Sequence, residues 1–351
     1  MKRPIRVLVV DDSAFARKVM REVLTGDPEV EVVGIARDGL DALEKTAELA
    51  PDVITLDLLM PNLDGLGVLK ALSGSALKPA PRVVVVSTAE QDGELAVEAL
   101  QAGAVEVVHK PTSLATARLY ELAKELVAKV KTAALARPEA ASARAKDPAA
   151  VLLGVRPPGA PRIVVVGAST GGPQALTRLL SELPADFPVP VALVLHMPVG
   201  YTTALAARLD TASPLDVVEA SEGLVLRPGL AVLARAGLHM RIVVAPDGLE
   251  RVKLDVSPLD TPHRPAVDQL FSSAAKVYGR GALGVVLTGM GDDGLAGARA
   301  MVAAGGWIFT EAQSSCVVYG MPRSVDEAGL STRSFALEDM AAALRAVFAA
   351  P

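Results

Sequence analysis

Residues 162–176, R-I-V-V-V-G-A-S-T-G-G-P-Q-A-L, run from an apolar segment through a glycine-rich turn into a helix-length segment. A short apolar run bounded by glycines predicts a buried strand, and glycine tolerates the crowding of the sharp turn that follows. Strand, tight turn and helix in this order form the repeating unit of α/β proteins with parallel sheets. The stretch therefore predicts a βα unit that begins at Arg162.

The same alternation fills the rest of the C-terminal half of the chain. The predicted strands are Arg162–Val166, Val191–Leu195, Val217–Glu219, Gly284–Leu287 and Trp307–Thr310. The predicted helices are Gln174–Ser181, Thr203–Arg208, Val267–Val277 and Leu295–Ala304. Short strand-like runs between Leu224 and Pro258 predict a hairpin insertion. We expect this half to form a Rossmann-like α/β domain.

The first 124 residues repeat strand and helix in the same way. The predicted strands are Ile5–Val10, Glu31–Ala36, Val53–Leu56, Arg82–Ser87 and Val105–His109, separated by helical segments such as Ala14–Leu24 and Leu40–Leu49. This order predicts a flavodoxin-like, doubly wound parallel sheet. Residues 125–160 are rich in alanine and then in proline, which indicates an interdomain linker. The predicted fold class is therefore α/β with two doubly wound parallel-sheet domains, 1–124 and 161–351.

The composition excludes several classes of protein. The net charge is -5 with no block of basic residues, so a nucleic-acid surface is not indicated. No run of 18 apolar residues occurs, so direct membrane insertion is not expected. A single cysteine, Cys316, excludes an internal disulfide or a thiolate metal site and favours a cytoplasmic protein. Its neighbours, S-S-C-V-V-Y, predict a strand in which the thiol is buried and inert.

Acidic side chains follow two strands of the predicted first domain. Asp11 and Asp12 come just after the first strand, and Asp57 comes just after the third. Because the carboxyl ends of neighbouring parallel strands meet in one crevice, we expect these carboxylates to crowd together, which favours a Mg²⁺ site. Thr88 and Lys110 follow the fourth and fifth strands, and a hydroxyl and an ammonium suit the oxygens of a phosphoryl group carried on a carboxylate.

This pattern over Arg6 to about Glu121 resembles the receiver domain of two-component response regulators. The resemblance implies that Asp57 accepts a phosphoryl group from a histidine kinase, and that Thr88 and Lys110 sense the aspartyl phosphate. It also implies that Asp11, Asp12 and Asp57 organise Mg²⁺. The position three residues before the lysine is usually aromatic in this family, whereas here it is Val107.

A candidate nucleophile lies in the second domain. The segment G-A-S-T-G fits G-x-S-x-G, the spacing that projects a serine from a tight strand-to-helix turn. This makes Ser169 the candidate and the backbone N–H of Thr170 a natural oxyanion donor. The same residues also fit a glycine-rich helix start in which Ser169 is only a cap, or an anion site.

A serine nucleophile needs a base and a carboxylate that orients it. Of the four histidines, His196 ends the strand V-A-L-V-L and so lies at the same rim as Ser169, whereas His239 and His263 fall in an insertion and a proline-flanked loop. The segment 285–299, V-V-L-T-G-M-G-D-D-G-L-A-G-A-R, brings Asp292 and Asp293 to that rim. Three strand ends thus supply serine, histidine and aspartate.

The segments G-A-S-T-G-G-P, H-M-P, H-R-P-A-V-D, L-T-G-M-G-D-D-G and S-S-C-V-V-Y-G-M-P-R resemble the catalytic domain of chemotaxis methylesterases. The resemblance implies hydrolysis of glutamyl methyl esters on methylated chemoreceptors, with deamidation of receptor glutamines as a related activity and no cofactor needed for hydrolysis. It assigns Ser169 as the nucleophile, His196 as the base and Asp293 as the orienting carboxylate. Asp292 takes a position where the family often has asparagine, and the backbone near Met290 is a further oxyanion candidate. A chemotaxis histidine kinase is the implied phosphodonor.

Two other functions fit part of the sequence. Gly289, Gly291 and Gly294 satisfy G-x-G-x-x-G after a strand, and Glu311 follows at the distance expected of a dinucleotide site. Two aspartates would then stand where the pyrophosphate binds, and they would repel it. The other alternative is a response regulator with a non-catalytic binding output, which requires Ser169, His196 and Asp293 to lie apart.

Overall fold

The computed structural model describes residues 3–75, 79–87, 89–110, 116–136 and 161–348. The chain divides into two compact units, Met1–Ala136 and Arg137–Pro351. In both units the sheet is parallel and buried, as the sequence predicts, and β-branched runs such as V-V-V-V supply its strands.

The first unit is a five-stranded parallel sheet with strand order β2-β1-β3-β4-β5. Its elements are β1 (Ile5–Val10), α1 (Ala14–Thr25), β2 (Val30–Ala36), α2 (Gly39–Leu49), β3 (Val53–Leu56), α3 (Gly65–Ser73), β4 (Arg82–Ser87), α4 (Ala89–Gln101), β5 (Glu106–His109) and α5 (Thr116–Leu135). Side-chain oxygens of Ser13, Asp38 and Asp64 accept backbone N–H groups at the starts of α1, α2 and α3. These caps fix where each helix leaves the strand end before it.

The predicted linker begins inside α5. Residues 125–135 are helical, and Leu126, Val130 and Ala133 are buried in the first unit. Alanine favours helices, so an alanine-rich stretch continues α5 as long as an apolar face can pack. The rest of the predicted linker, from residue 137 to residue 160, lies outside the described residues.

The second unit contains a seven-stranded parallel sheet with strand order β14-β13-β12-β6-β7-β9-β8. Its elements are β6 (Ile163–Ala168), α6 (Gly172–Ser181), β7 (Val191–Leu195), α7 (Thr202–Ala212), β8 (Asp216–Glu219), β9 (Leu230–Leu233), β10 (His239–Val244), β11 (Glu250–Asp255), α8 (Val267–Tyr278), β12 (Ala282–Val286), α9 (Leu295–Ala303), β13 (Trp307–Glu311), α10 (Met321–Glu327), β14 (Arg333–Phe335) and α11 (Leu337–Phe348). β6 is the central strand, with β7, β9 and β8 on one side of it and β12, β13 and β14 on the other. This reversal of strand order creates a crevice at the carboxyl ends of the central strands.

Two details of the second unit differ from the sequence prediction. Leu230–Leu233 joins the large sheet between β7 and β8, and only β10 and β11 form the antiparallel hairpin. The segment around Cys316 forms turns rather than a strand, because its backbone groups bond to the ends of β12 and β13. The Cys316 thiol is nevertheless buried, as expected. In the part of the chain that the structure describes, no helix is long and apolar enough to cross a membrane.

Candidate functional site

The turn after β6 presents Ser169 at the centre of the crevice. The Ser169 N–H donates to the Thr288 carbonyl at 3.0 Å, and the Ser169 carbonyl accepts from Gly172 N–H at 2.7 Å. Gly171 has a φ of +79°, a left-handed conformation that favours glycine, and this lets the chain reverse into α6. The backbone N–H and the carbonyl of Ser169 therefore both form hydrogen bonds, which hold the nucleophile candidate in place.

The glycines of the second motif have steric roles at this turn. A Cβ on Gly289 would lie 2.8 Å from Ser169 Cβ and 3.1 Å from Ser169 N. Gly291 and Gly294 have φ values of +85° and +103°. The G-x-G-x-x-G spacing is thus explained by close packing against Ser169 and by two left-handed backbone positions, without a nucleotide.

His196 lies beside this turn and binds Asp293. Its backbone N–H donates to the carbonyl of Ala168, which ties the end of β7 to the end of β6. Its Nε2 lies 2.7 Å from Asp293 Oδ2, and both side chains are nearly buried. Nδ1 is buried and has no hydrogen-bond partner among the described residues. Asp293 therefore binds Nε2 and leaves Nδ1 open, whereas in the common triad the carboxylate binds Nδ1.

Asp293 is anchored by the start of α8 as well as by His196. Its two oxygens accept the N–H groups of Val267 at 2.7 Å and Asp268 at 2.9 Å. Burial opposes its ionisation, but the His196 contact and these N–H donors outweigh burial and lower the pKa of the carboxyl. Asp293 is thus held as a carboxylate, whereas Asp292 is exposed and does not take this position.

Two residues that sequence reasoning did not assign complete this arrangement. His263 stacks on His196 with ring centroids 3.9 Å apart, and Asp268 Oδ1 accepts the N–H groups of Gly294 and Gly297. Asp293 therefore caps α8 while Asp268 caps α9. The only sequence signal for both is the segment H-R-P-A-V-D, which leads into α8. His239 is buried and binds backbone groups of Pro258 and Ala266, which is a structural role.

The oxyanion candidates follow the ends of β6 and β12. Because a trans peptide holds its N–H opposite its C=O, the bond from Gly172 to the Ser169 carbonyl turns the Thr170 N–H away from the inside of the turn. Met290 is about half exposed. Both assignments stay predictions.

The first unit carries a second polar cluster at its strand ends. Carboxylate oxygens of Asp11, Asp12 and Asp57 lie within 4.8 Å of one another, with Asp11 and Asp57 buried and Asp12 exposed. Lys110 Nζ lies 2.8 Å from Asp57 Oδ2 and 2.9 Å from Asp11 Oδ2. Thr88 lies outside the described residues. The cluster has the hard oxygen donors that Mg²⁺ prefers, and Asp12 is exposed to solvent.

Burial governs the ionisation of this pocket. It raises the pKa of Asp57 to about 6 and also raises the pKa of Asp11. Burial lowers the pKa of Lys110, but the bonds to Asp57 and Asp11 outweigh it and hold that pKa above its ordinary value. Nearby, Val107 is buried, and its carbonyl accepts from Lys129 Nζ at 2.7 Å. The pocket is thus a pair of buried carboxyl groups that share one ammonium.

Comparisons with known proteins find a family match in each unit. A family model for CheB methylesterase matches residues 164–344, and one for the response regulator receiver domain matches residues 7–123. Protein-glutamate methylesterase/protein-glutamine glutaminase 5 of Myxococcus xanthus is 64% identical over 343 residues, covering 97% of each chain. The corresponding Thermotoga maritima protein is 42% identical over 329 residues, covering 93% of this chain and 94% of its own.

A solved structure supports the fold of the second unit. The crystal structure of the Thermotoga maritima CheB methylesterase catalytic domain is 39% identical, with a TM-score of 0.51. It covers 53% of this chain and 98% of its own. Glu311 is fully buried against Thr288, so it is not available to the ribose of a dinucleotide. The chain belongs to the CheB methylesterases that carry a response regulator receiver domain.

Proposed function

We propose that Ser169, His196 and Asp293 hydrolyse glutamyl methyl esters on chemoreceptors, with phosphorylation of Asp57 regulating the rate. Membership of the family makes the chain a protein-glutamate methylesterase and protein-glutamine glutaminase with a receiver domain. The observation that carries the residue roles is the 2.7 Å contact between His196 and Asp293, next to a serine on the adjoining strand end.

The reaction begins when Ser169 Oγ attacks the ester carbonyl and transfers its proton to His196 Nδ1. Asp293 stays ionised throughout and stabilises the imidazolium, as its lowered pKa favours. The N–H groups of Thr170 and Met290 donate to the oxyanion. The tetrahedral intermediate collapses, and methanol leaves with the proton from His196.

Water then cleaves the acyl-enzyme. His196 takes a proton from water as the hydroxide equivalent attacks the acyl carbonyl, and it returns that proton to Ser169. The products are a free glutamate side chain and the starting enzyme. A receptor glutamine follows the same course with ammonia in place of methanol.

The receiver domain supplies control through Asp57. Asp11, Asp12 and Asp57 would hold Mg²⁺, which when bound neutralises the charge of an incoming phosphoryl group. The Asp57 carboxylate accepts the phosphoryl group, and Lys110, already within 2.8 Å of it, offers an ammonium to the new oxygens. Thr88 contributes a hydroxyl in this proposal. The phosphodonor is a chemotaxis histidine kinase, and the substrates are methylated chemoreceptors.

The decisive experiment measures methanol release from methyl-esterified chemoreceptor fragments. Native chain is compared with Ser169→Ala, with and without a small phosphoryl donor and Mg²⁺. Ser181→Ala is the matched control, because this exposed hydroxyl bonds only within its own helix. We expect methanol release to vanish in Ser169→Ala and to stay native in Ser181→Ala. With donor and Mg²⁺, release should rise in the native chain but not in Asp57→Asn. Full activity in Ser169→Ala would overturn the proposal.

A further inference from the structure

Glu311 is a buried carboxyl that the reaction leaves unused. It ends β13, has no solvent exposure, and its burial raises the pKa to about 7. A carboxyl in an apolar core is costly unless hydrogen bonds compensate for the lost water. Its partners therefore indicate what it is for.

The Glu311 carboxyl accepts a hydrogen bond from a backbone N–H that has no partner in the sheet. The ladder between β12 and β13 ends at Val286 and Thr310, just before the chain reaches Thr288. Glu311 Oε2 accepts the Thr288 N–H at 2.8 Å, and Oε1 accepts from Ser315 Oγ at 3.0 Å. The Glu311 carboxyl thus links the end of β13 to the chain after β12 by one side-chain hydrogen bond, just beyond the last backbone pair of the two strands.

Thr288 in turn holds residues 169–172, which we call the nucleophile turn, at two points. Its carbonyl accepts the Ser169 N–H at 3.0 Å, and its hydroxyl donates to the Thr170 carbonyl at 2.9 Å. The same hydroxyl accepts the N–H of Val318 at 2.9 Å, and the Val318 carbonyl lies farther from it, at 3.3 Å, than the Thr170 carbonyl does. A displacement of Thr288 would therefore move Ser169 and the peptides beside it together.

We propose that Glu311 is a positioning residue for Ser169, acting through Thr288 to hold the nucleophile turn in its reactive geometry. The inference rests on the proposed function, because it assumes that Ser169 is the nucleophile. It also gives a role to an acidic residue that G-x-G-x-x-G spacing would assign to a ribose.

The test uses two substitutions of Glu311 in the full chain. In Glu311→Gln, the amide oxygen can accept the Thr288 N–H while the amide nitrogen donates to Ser315 Oγ, so kcat should stay within about threefold of native. In Glu311→Met, the volume is kept but the acceptor is lost, and kcat should fall about 10- to 100-fold, the cost of misplacing a reacting group by up to ~1 Å. KM should change by less than about twofold in both, because binding is not altered.

A stability loss must be separated from a positioning effect. Rates are therefore expressed per active site, counted by complete labelling of Ser169 with a fluorophosphonate. Thr310→Val is the matched control: Thr310 is the neighbouring buried residue of β13, but its hydroxyl bonds to Asp326 and Ser331. This control should lower stability and leave kcat per site unchanged.

A third variant keeps the proposal testable if Glu311→Met does not fold. Thr288→Val retains the N–H that Glu311 accepts but loses the hydroxyl bond to Thr170, so kcat per site should again fall at constant KM. Native kcat per site in Glu311→Met or in Thr288→Val would overturn the proposal, as would equal losses in the Gln and Met variants. Full activity in Ser169→Ala would instead overturn the proposed function itself.

Discussion

Replacing Gly289 by alanine should slow the enzyme by moving Ser169. The added Cβ would lie 2.3 Å from Met321 Sδ and 2.8 Å from Ser169 Cβ. The thioether can rotate away, but Ser169 must retreat by about 0.7 Å to restore an ordinary carbon contact of about 3.5 Å. Misplacement on this scale costs about 10- to 100-fold in rate, and overpacking costs about 1–3 kcal/mol of unfolding free energy. We expect both effects in Gly289→Ala.

The assay measures kcat for methanol release per fluorophosphonate-labelled site, alongside thermal unfolding. Gly281→Ala serves as the control, because its Cβ would meet only the Arg162 side chain at 3.4 Å, an ordinary contact. The control should retain native kcat. If Gly289→Ala also retained native kcat per site, close packing of Gly289 on the nucleophile turn would not matter for the reaction, and the reasoning would be refuted.

Three further predictions concern charged groups. Asp293→Asn should lower kcat by roughly 10⁴-fold in the methanol assay, because an amide cannot stabilise the imidazolium of His196; a loss under tenfold would contradict this. Lys110→Met should destabilise the first unit by about 3–5 kcal/mol at pH 8, because Asp57 and Asp11 are left buried without a counter-charge. The loss should shrink at pH 5, where Asp57, with a pKa of about 6, is protonated and needs no counter-charge. Hydrogen exchange of β1 and β3 peptides measures this, and a loss independent of pH would contradict it. Millimolar Mg²⁺ should slow exchange of the same peptides at pH 8, EDTA should reverse the effect, and Asp57→Asn should abolish it; equal protection in that variant would contradict the metal assignment.

The sequence predicted the sheets well where strands are buried on both faces. Ile5–Val10 and Val191–Leu195 were predicted to the residue, because β-branched apolar runs between turns have few alternative structures. It did not predict that Leu230–Leu233 pairs between β7 and β8, since a short apolar run does not specify its neighbours. It also placed a strand at Cys316, where the chain instead forms turns whose backbone groups bond to the ends of β12 and β13.

The candidate site was predictable to the extent that it follows strand ends. Ser169, His196 and Asp293 each come after a central strand, so sheet topology alone brings them to one crevice. His263 and Asp268 reach it from a loop and a helix start, which carry no such positional rule. Which His196 nitrogen bonds to Asp293 was equally beyond the sequence, because it depends on ring orientation.

The most direct test of the account is the mass of the covalent intermediate. A glutamyl methyl ester peptide is mixed with the native chain, the reaction is quenched in acid within milliseconds, and the digest is analysed by mass spectrometry. We predict a peptide containing Ser169 that carries the substrate acyl group, with methanol already lost, and no such adduct in Ser169→Ala. Methanol release with the adduct on another residue would contradict the account.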